Sequence, residues 1–348
     1  MPKPLLRFAV TTAVIFQAAS QATAQKAMRN ATFATAVVAP LLLHAAPALG
    51  QSLATFLSMS GSNANNCATP ATACRDFGVA LADLQTDSGG TIFILDTGFY
   101  GSGLITESLN IVADGVAPVI QFSASGGPKP AALSIGIAAG DVVTIRGLIL
   151  GGNEKNFSGI HFWGAGALHL ENCVVRDNLI GIDFTPSGAG ELHVSNCTVS
   201  DNGSNTGAGI LIAPTGSGSA TVHFENVRVE NNRVGIVLDG AASTGGIAMS
   251  VRDSTIGGSA AFGLGVFEAV TGGSPSTVQV ARTTISSNVG QGIFASRSMA
   301  SVRVRQSEIT GNAVGVQIQN GGEIVSHGDN VLADNATNGA FTATVAPQ

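Results

Sequence analysis

Apolar and polar positions alternate over short runs from residue 143 onward, and the alternation repeats. In residues 168–184 (LHLENCVVRDNLIGIDF), apolar Leu168 and Leu170 are followed by Asn172. Cys173 and Val175 resume the pattern, Asp177 and Asn178 interrupt it, and Gly181 opens a third run through Ile182 and Phe184. Period-two alternation over so few residues predicts short strands, and the Asn, Asp and Gly breaks predict turns. The first strand recurs at Val143, Leu168, Leu192, Val222, Met249, Val278 and Val302. The second recurs at Leu148, Cys173, Cys197, Val227, Ser254, Thr283 and Ser307. A glycine opens the third at Gly159, Gly181, Gly209, Gly235, Gly263, Gly292 and Gly315, and a degraded copy runs from Ile324 through Asn335 to Gly339.

Three short strands per repeat with no helix between them exclude a leucine-rich repeat and a propeller blade. Each repeat is one coil of an all-β, single-stranded parallel β-helix, a solenoid of about ten coils stacked about 4.8 Å apart. Stacking turns sequence columns into ladders. Asn172, Asn196 and Asn226 fall at one bend, where Asn tolerates left-handed backbone and amides hydrogen-bond from coil to coil. Asn178, Asn202 and Asn232 fall at a second bend and receive the same structural reading. Cys173 and Cys197 share an inward column on neighbouring coils. Their spacing permits a disulfide, but free buried thiols acting as small core residues are the favoured reading.

Ahead of the repeats, residues 52–75 look irregular. Residues 76–84 (DFGVALADL) combine an initial Asp with apolar residues at helical spacing and predict one short helix. Strands follow at 91–95, 109–112 and 119–122, with a loop at 128–130.

Residues 1–50 fall outside this pattern. Lys3 and Arg7 precede an apolar run ending in Ala22-Thr23-Ala24, and a second such leader starts at Met28. Each has the form of an export signal, which is favoured over a membrane anchor because Pro40 and His44 interrupt the second run. The expected organisation is an export region at 1–50, a lead-in segment with a capping helix at 51–90, the β-helix at 91–342 and a tail at 343–348. The expected location is periplasmic, cell-surface or secreted, with no stable membrane span after processing. In an exported chain a Cys67–Cys74 bridge is favoured; their spacing is not that of a metal site and no His lies near.

The low content of charged residues, 11%, with 45% hydrophobic residues excludes a disordered chain. All 22 acidic residues lie after residue 50, against 12 of the 16 basic ones, so the remainder carries a net charge of -10. Nucleic acid and anionic membrane are poor partners for such a surface.

The recurring coil, the Asn bend and the amphipathic segment at 76–84 resemble the right-handed parallel β-helix proteins of the pectate-lyase-like superfamily. The segment SGSNANNCATPATACRDF is similar to the start of exported bacterial members. The resemblance implies a helix capping the N-terminal end of the core and a third-strand sheet that floors a polysaccharide groove. It also implies the site sets of pectate lyases, an Asp cluster for calcium with a basic residue for proton abstraction, and of polygalacturonases, several Asp. Neither set is matched here.

Candidate chemistry must lie on outward positions. On the first strand these include His169, His193 and His223 in one column and Glu171, Glu225 and Arg252 in the next. The bland reading is a solvated face with stacked opposite charges, Arg146 over Glu171 and Glu225 over Arg252. The sharper reading is a polar site, in which the three stacked His could hold a metal or Glu171 and Glu225, two coils apart, act as a carboxylate pair; the bland reading is favoured and no metal is expected. On the third strand the outward residues are His161, Asp183, Leu211, Val237, Gly265, Phe294 and Gln317, a row with a single acid and an apolar strip. The favoured function is non-catalytic binding or a structural role at the envelope or outside the cell, towards polysaccharide or another envelope component. The alternative is a polysaccharide lyase or glycoside hydrolase using Glu171, Glu225 or Asp183. Histidines 161, 169, 193 and 223, with Arg252, are the binding candidates. No cofactor is expected, and calcium enters only with the lyase alternative.

Overall fold

The inward positions of every repeat are aliphatic, and the structure stacks them in register. The computed structural model describes residues 54–84, 89–122, 128–151, 157–204, 206–267 and 274–346. The expected export region, residues 1–50, lies outside the described residues, and residues 51–348 form one compact unit. All sheet pairing between named strands is parallel, in three sheets of 12, 9 and 9 strands, called A, B and C below.

Eight complete coils each give one strand to each sheet. Their sheet A strands are Leu109–Val112, Val142–Arg146, Gly166–Glu171, Ala189–Ser195, Ser219–Glu225, Ile247–Arg252, Ser276–Ala281 and Ala300–Arg305. Their sheet C strands are Ala131–Ile135, Ser158–Phe162, Ile180–Phe184, Ala208–Ile212, Ile236–Asp239, Leu264–Phe267, Gln291–Ser296 and Val314–Gln319. The expected ten coils are reached only by including incomplete turns at both ends, Gly90–Ile94 with Gly103–Ile105, and Glu323–Ser326 with Val331–Ala333.

Ile160, Ile182, Ile210, Ile236, Leu264, Ile293 and Val316 pair coil to coil along the inside of sheet C, and all are buried. Phe162 and Phe184 stack in the same core with ring centroids 4.6 Å apart. Each such side chain contributes about 1.5–3 kcal/mol through burial, and a coil obtains that burial only from its neighbours.

The first bend is left-handed at Asn172, Asn196, Asn226 and Asp253, with φ of 52–54°. Asn226 Nδ2 donates to Asn196 Oδ1 at 2.7 Å. At the second bend the left-handed residue stands one place earlier, at Asp177, Asp201 and Asn231. Asn178, Asn202 and Asn232 therefore do not supply the turn. They point inward and form a buried amide ladder, Asn178 Nδ2 to Asn202 Oδ1 and Asn202 Nδ2 to Asn232 Oδ1, both at 3.0 Å. The recurring glycine answers this ladder: a Cβ on Gly209 would lie 2.8 Å from the Asn232 amide.

The column of Cys173 and Cys197 is also a ladder. The backbone N–H of Cys173 donates to Cys197 Sγ at 3.2 Å, and Cys197 Sγ donates to Ser195 O at 3.1 Å. Ser254 does the same for Val227, accepting its N–H and donating to Arg252 O, and Ser307 does it for Thr283 and Arg305. Both thiols are free and buried.

The predicted helix forms at Phe77–Leu84, with the Asp76 carboxylate accepting from Gly78 N–H at 2.8 Å. Sheet C ends at Gly103–Ile105, and the helix closes that end: Phe77 and Leu81 lie against Gly103. Residues 54–75 are less irregular than expected, and 52–53 lie outside the described residues. Ala54–Leu57 is a strand paired with Gly90–Ile94, and Phe56 bonds through its backbone to Cys67 and Cys74, which form a disulfide. At the other end, Ala343–Thr344 of the expected tail pairs with Val325–Ser326. Among the described residues, no helix is long and apolar enough to cross a membrane.

Candidate functional site

On the outer face of sheet A, His169, His193 and His223 stand on three successive coils in direct register, with ring centroids 4.6 and 4.9 Å apart. His193 Nε2 lies 3.7 Å from Glu191 Oε2, and His223 Nδ1 lies 2.8 Å from Ser250 Oγ. Burial, then the neighbouring His193, lowers the pKa of His169 and of His223. In the next column Glu171, Ser195, Glu225 and Arg252 follow one another. Glu225 pairs with Arg252 at 2.7 Å, as the stacked-charge reading expects. Arg146 does not do this for Glu171. Although the two stand in register, the guanidinium reaches back to Asp114 at 3.0 Å.

A recess of about 480 Å³ lies over His193, His223, Glu225 and Arg252. Its acid and base are each more than half exposed. Glu225 thus lies about half open to water, ion-paired with Arg252. Ser195 separates Glu171 from Glu225 in the column.

The outer face of sheet C differs. Ser134, His161 and Asp183 are consecutive rungs on three coils, and all three are buried although they point away from the core. Lys129, which precedes the strand Ala131–Ile135, reaches across to Asp183 Oδ2 at 2.9 Å. Trp163 stacks against His161 with centroids 5.1 Å apart. Room for the indole comes from Gly136 below it, where a Cβ would lie 2.3 Å from the ring.

The hydrogen bonds of this cluster define a tautomer. Thr185 Oγ1 donates to Phe162 O at 3.1 Å, so its oxygen accepts from His161 Nε2 at 3.3 Å. His161 Nδ1 then carries the lone pair, and among the described residues it has no hydrogen-bond partner; neither has Asp183 Oδ1. Burial, outweighing the nearby Asp183 charge, lowers the His161 pKa, so the imidazole is neutral at neutral pH. A buried neutral imidazole beside a carboxylate–ammonium pair can accept a proton or hold a hydroxyl.

Beyond Asp183 the row continues through Leu211, Val237, Gly265, Phe294 and Gln317 without a break in register. Phe262, Phe267 and Phe294 gather over Gly265, with centroids between 5.3 and 6.2 Å. Gln291 Nε2 donates to Gln317 Oε1 at 2.5 Å beside them. The expected apolar strip is thus an aromatic patch on the sixth and seventh coils.

Of the sequence candidates, the structure brings His161 and Asp183 into one site, and places His169, His193, His223, Glu171, Glu225 and Arg252 on a different, open face. Sequence reasoning missed Lys129, Trp163 and Thr185. Trp163 carried a usable signal, because it stands two residues after His161 and so shares its face. Lys129 carried none, because it sits in a loop. Among the described residues no group of three or more His, Cys, Asp or Glu side chains converges on a metal position. Calcium does not fit the sheet C row: it needs six to eight oxygen ligands, and the row offers one carboxylate, already paired with Lys129.

The profile of a right-handed beta helix region matches residues 130–256 and 158–337. Among solved structures, the pectate lyase Pel9A is similar with a TM-score of 0.54 at 14% identity, over 83% of this chain and 79% of that one. The A-modules of the Azotobacter vinelandii mannuronan C-5 epimerases AlgE4 and AlgE6 align at 14% identity with TM-scores of 0.47 and 0.28. They cover 78% and 77% of this chain and 96% and 94% of their own. No curated protein matches the chain significantly. At 14% identity the likeness to the pectate lyase speaks to the fold alone. The second profile match spans more than half of the 348 residues, and the chain belongs to the right-handed β-helix family.

Proposed function

We propose that this chain is an exported β-helix protein that binds an extended polysaccharide along the outer face of sheet C. The observation that carries this reading is the unbroken row from His161 to Gln317, seven coils in register. It sets a polar cluster at one end and the half-buried Phe262, Phe267 and Phe294 at the other, about 24 Å apart at about 4.8 Å per coil. Phenyl faces stack on the apolar faces of sugar rings, while the half-exposed Lys129 ammonium and the Gln291–Gln317 amides offer hydrogen bonds to hydroxyls or carboxylates. The leader-like residues 1–50 support export, and the acidic composition favours neutral or sparsely charged glycan outside the Lys129 end.

A second reading, cleavage of the polysaccharide at the polar cluster, rests on one observation: the unpartnered His161 Nδ1 beside Asp183. There His161 takes the proton from the carbon beside a sugar carboxylate, Lys129 holds the negative charge that develops on that carboxylate, and the glycosidic C–O bond breaks to leave an unsaturated end and an oxygen protonated by solvent. Binding and turnover separate in one experiment. Incubate the protein with acidic and neutral glycans, with and without calcium, and follow retention, unsaturated products and reducing ends. Retention without products is expected. Products that vanish in Asp183→Asn establish the second reading, and no retention of any glycan removes the first.

A further inference from the structure

His161 and Asp183 are buried neighbours on adjacent rungs of sheet C, and each carries an acceptor with no hydrogen-bond partner among the described residues, Nδ1 and Oδ1. The cation beside them, Lys129, holds Asp183 through the other carboxylate oxygen, Oδ2, and its side chain is 50% exposed. We propose that a proton taken up by His161 displaces Lys129 from Asp183, so that the imidazolium becomes the carboxylate's counter-charge and the ammonium turns out to solvent and to the bound glycan. The last step rests on the polysaccharide reading; the exchange of cations does not.

Charge balance drives the exchange. The described groups that face His161 are Ser134 on the rung below, Asp183 on the rung above, Trp163 on its ring face, Thr185 at Nε2 and Lys129 over the carboxylate. Of these, Asp183 and Lys129 carry charge and act on the imidazole in opposite senses. With His161 neutral, the cluster holds one anion and one cation. One more proton leaves a cation in excess beside buried groups, where an uncompensated charge is costly. Lys129 is the cation that can leave, because half of its side chain already meets water, whereas His161 is 1% exposed.

The hydrogen bonds close as well. The protonated ring has two donors. Nε2–H keeps its bond to Thr185 Oγ1. Nδ1–H turns to Asp183 Oδ1 on a rung about 4.8 Å away, and two unpartnered buried atoms satisfy one another. Burial, with a smaller push from the Lys129 charge and against the pull of Asp183, lowers the pKa of His161, so the exchange sets in below the ordinary histidine value of about 6.5. Below that midpoint the polar end of the row offers a free ammonium, which strengthens attraction for acidic groups on a glycan.

Nuclear magnetic resonance of the full chain with ¹³C-labelled lysine and histidine tests this. Lys129→Ala identifies the Lys129 ε-carbon signal. That carbon should be restricted above the His161 titration midpoint and mobile, like an exposed lysine, below it, the two midpoints agreeing within about half a pH unit. In His161→Asn, checked for folding by circular dichroism, it should stay restricted through the same range. Affinity for a retained acidic glycan should rise about threefold or more through the midpoint in the wild type and stay flat in His161→Asn. A Lys129 signal that stays restricted after His161 has titrated, or that becomes mobile at the same pH in His161→Asn, would overturn the exchange. Flat affinity in the wild type would overturn the ligand step. Retention of no glycan contradicts the polysaccharide reading alone, since the resonances are read without one.

Discussion

The Lys129 ammonium lies 2.9 Å from Asp183 Oδ2, joining a half-exposed cation to a carboxylate that is almost wholly buried. A buried carboxylate stripped of its cation must take up a proton or open the structure around it. Breaking a fully buried pair costs about 3–5 kcal/mol, and solvent at Lys129 reduces this. Lys129→Ala is expected to lower stability by about 2 kcal/mol, and adding Asp183→Asn should restore part of the loss. Urea unfolding measures both. A Lys129→Ala change near zero contradicts the buried pair.

His161 gives stability a pH dependence of known sign. Its folded pKa is lowered by burial, so the unfolded state takes up the proton first. Its contribution is full above the ordinary histidine value of about 6.5 and is lost as pH falls from there through the folded pKa. The unfolding midpoint should therefore drop on acidification, and drop less in His161→Asn. Imidazole resonances give a direct reading: His161 should titrate below the ordinary histidine value. Titration at or above it contradicts the assigned burial.

Asn202 accepts from Asn178 and donates to Val175 O, Ser200 O and Asn232 Oδ1, all at the buried second bend. Asn202→Ala removes every one of these bonds and leaves several buried groups unpaired, at about 1–3 kcal/mol each before relaxation. A loss of at least about 3 kcal/mol is expected. Asn202→Ser should cost about as much, because the hydroxyl of Ser259, in the corresponding place two coils on, is buried with no hydrogen-bond partner among the described residues. Chemical denaturation measures both variants.

The Cys197 thiol does the work that the Ser254 and Ser307 hydroxyls do in the same column. Cys197→Ser should therefore change stability by less than about 1.5 kcal/mol. Titration of the denatured, unreduced protein should find two free thiols, Cys173 and Cys197. Finding none would mean that the two are bridged.

The coils were legible because alternation, bend asparagines and packing glycines recur together, each fixed by contact with the next coil. Where that coupling lapses, so does legibility. Ala131–Ile135 shows no alternation because all five of its residues are buried. Ala54–Leu57 is four residues long and pairs with a strand more than thirty positions away. The outward positions of His161 and Asp183 followed from strand period, but their burial did not. It depends on Trp163, which the strand period does place on the same face, and on Lys129, which sits in a loop whose path no period sets.

The central claim is that sheet C carries the ligand. Its most direct test is glycan affinity of the full chain in matched variants of the two faces, with a retained glycan from the panel as probe. Phe294→Ala, on sheet C, and Lys129→Ala, in the loop beside it, should each weaken binding about tenfold, the equivalent of 1.4 kcal/mol, while Arg252→Ala, on sheet A, should leave it unchanged. Full affinity in the sheet C variants, or loss in Arg252→Ala alone, would contradict the account.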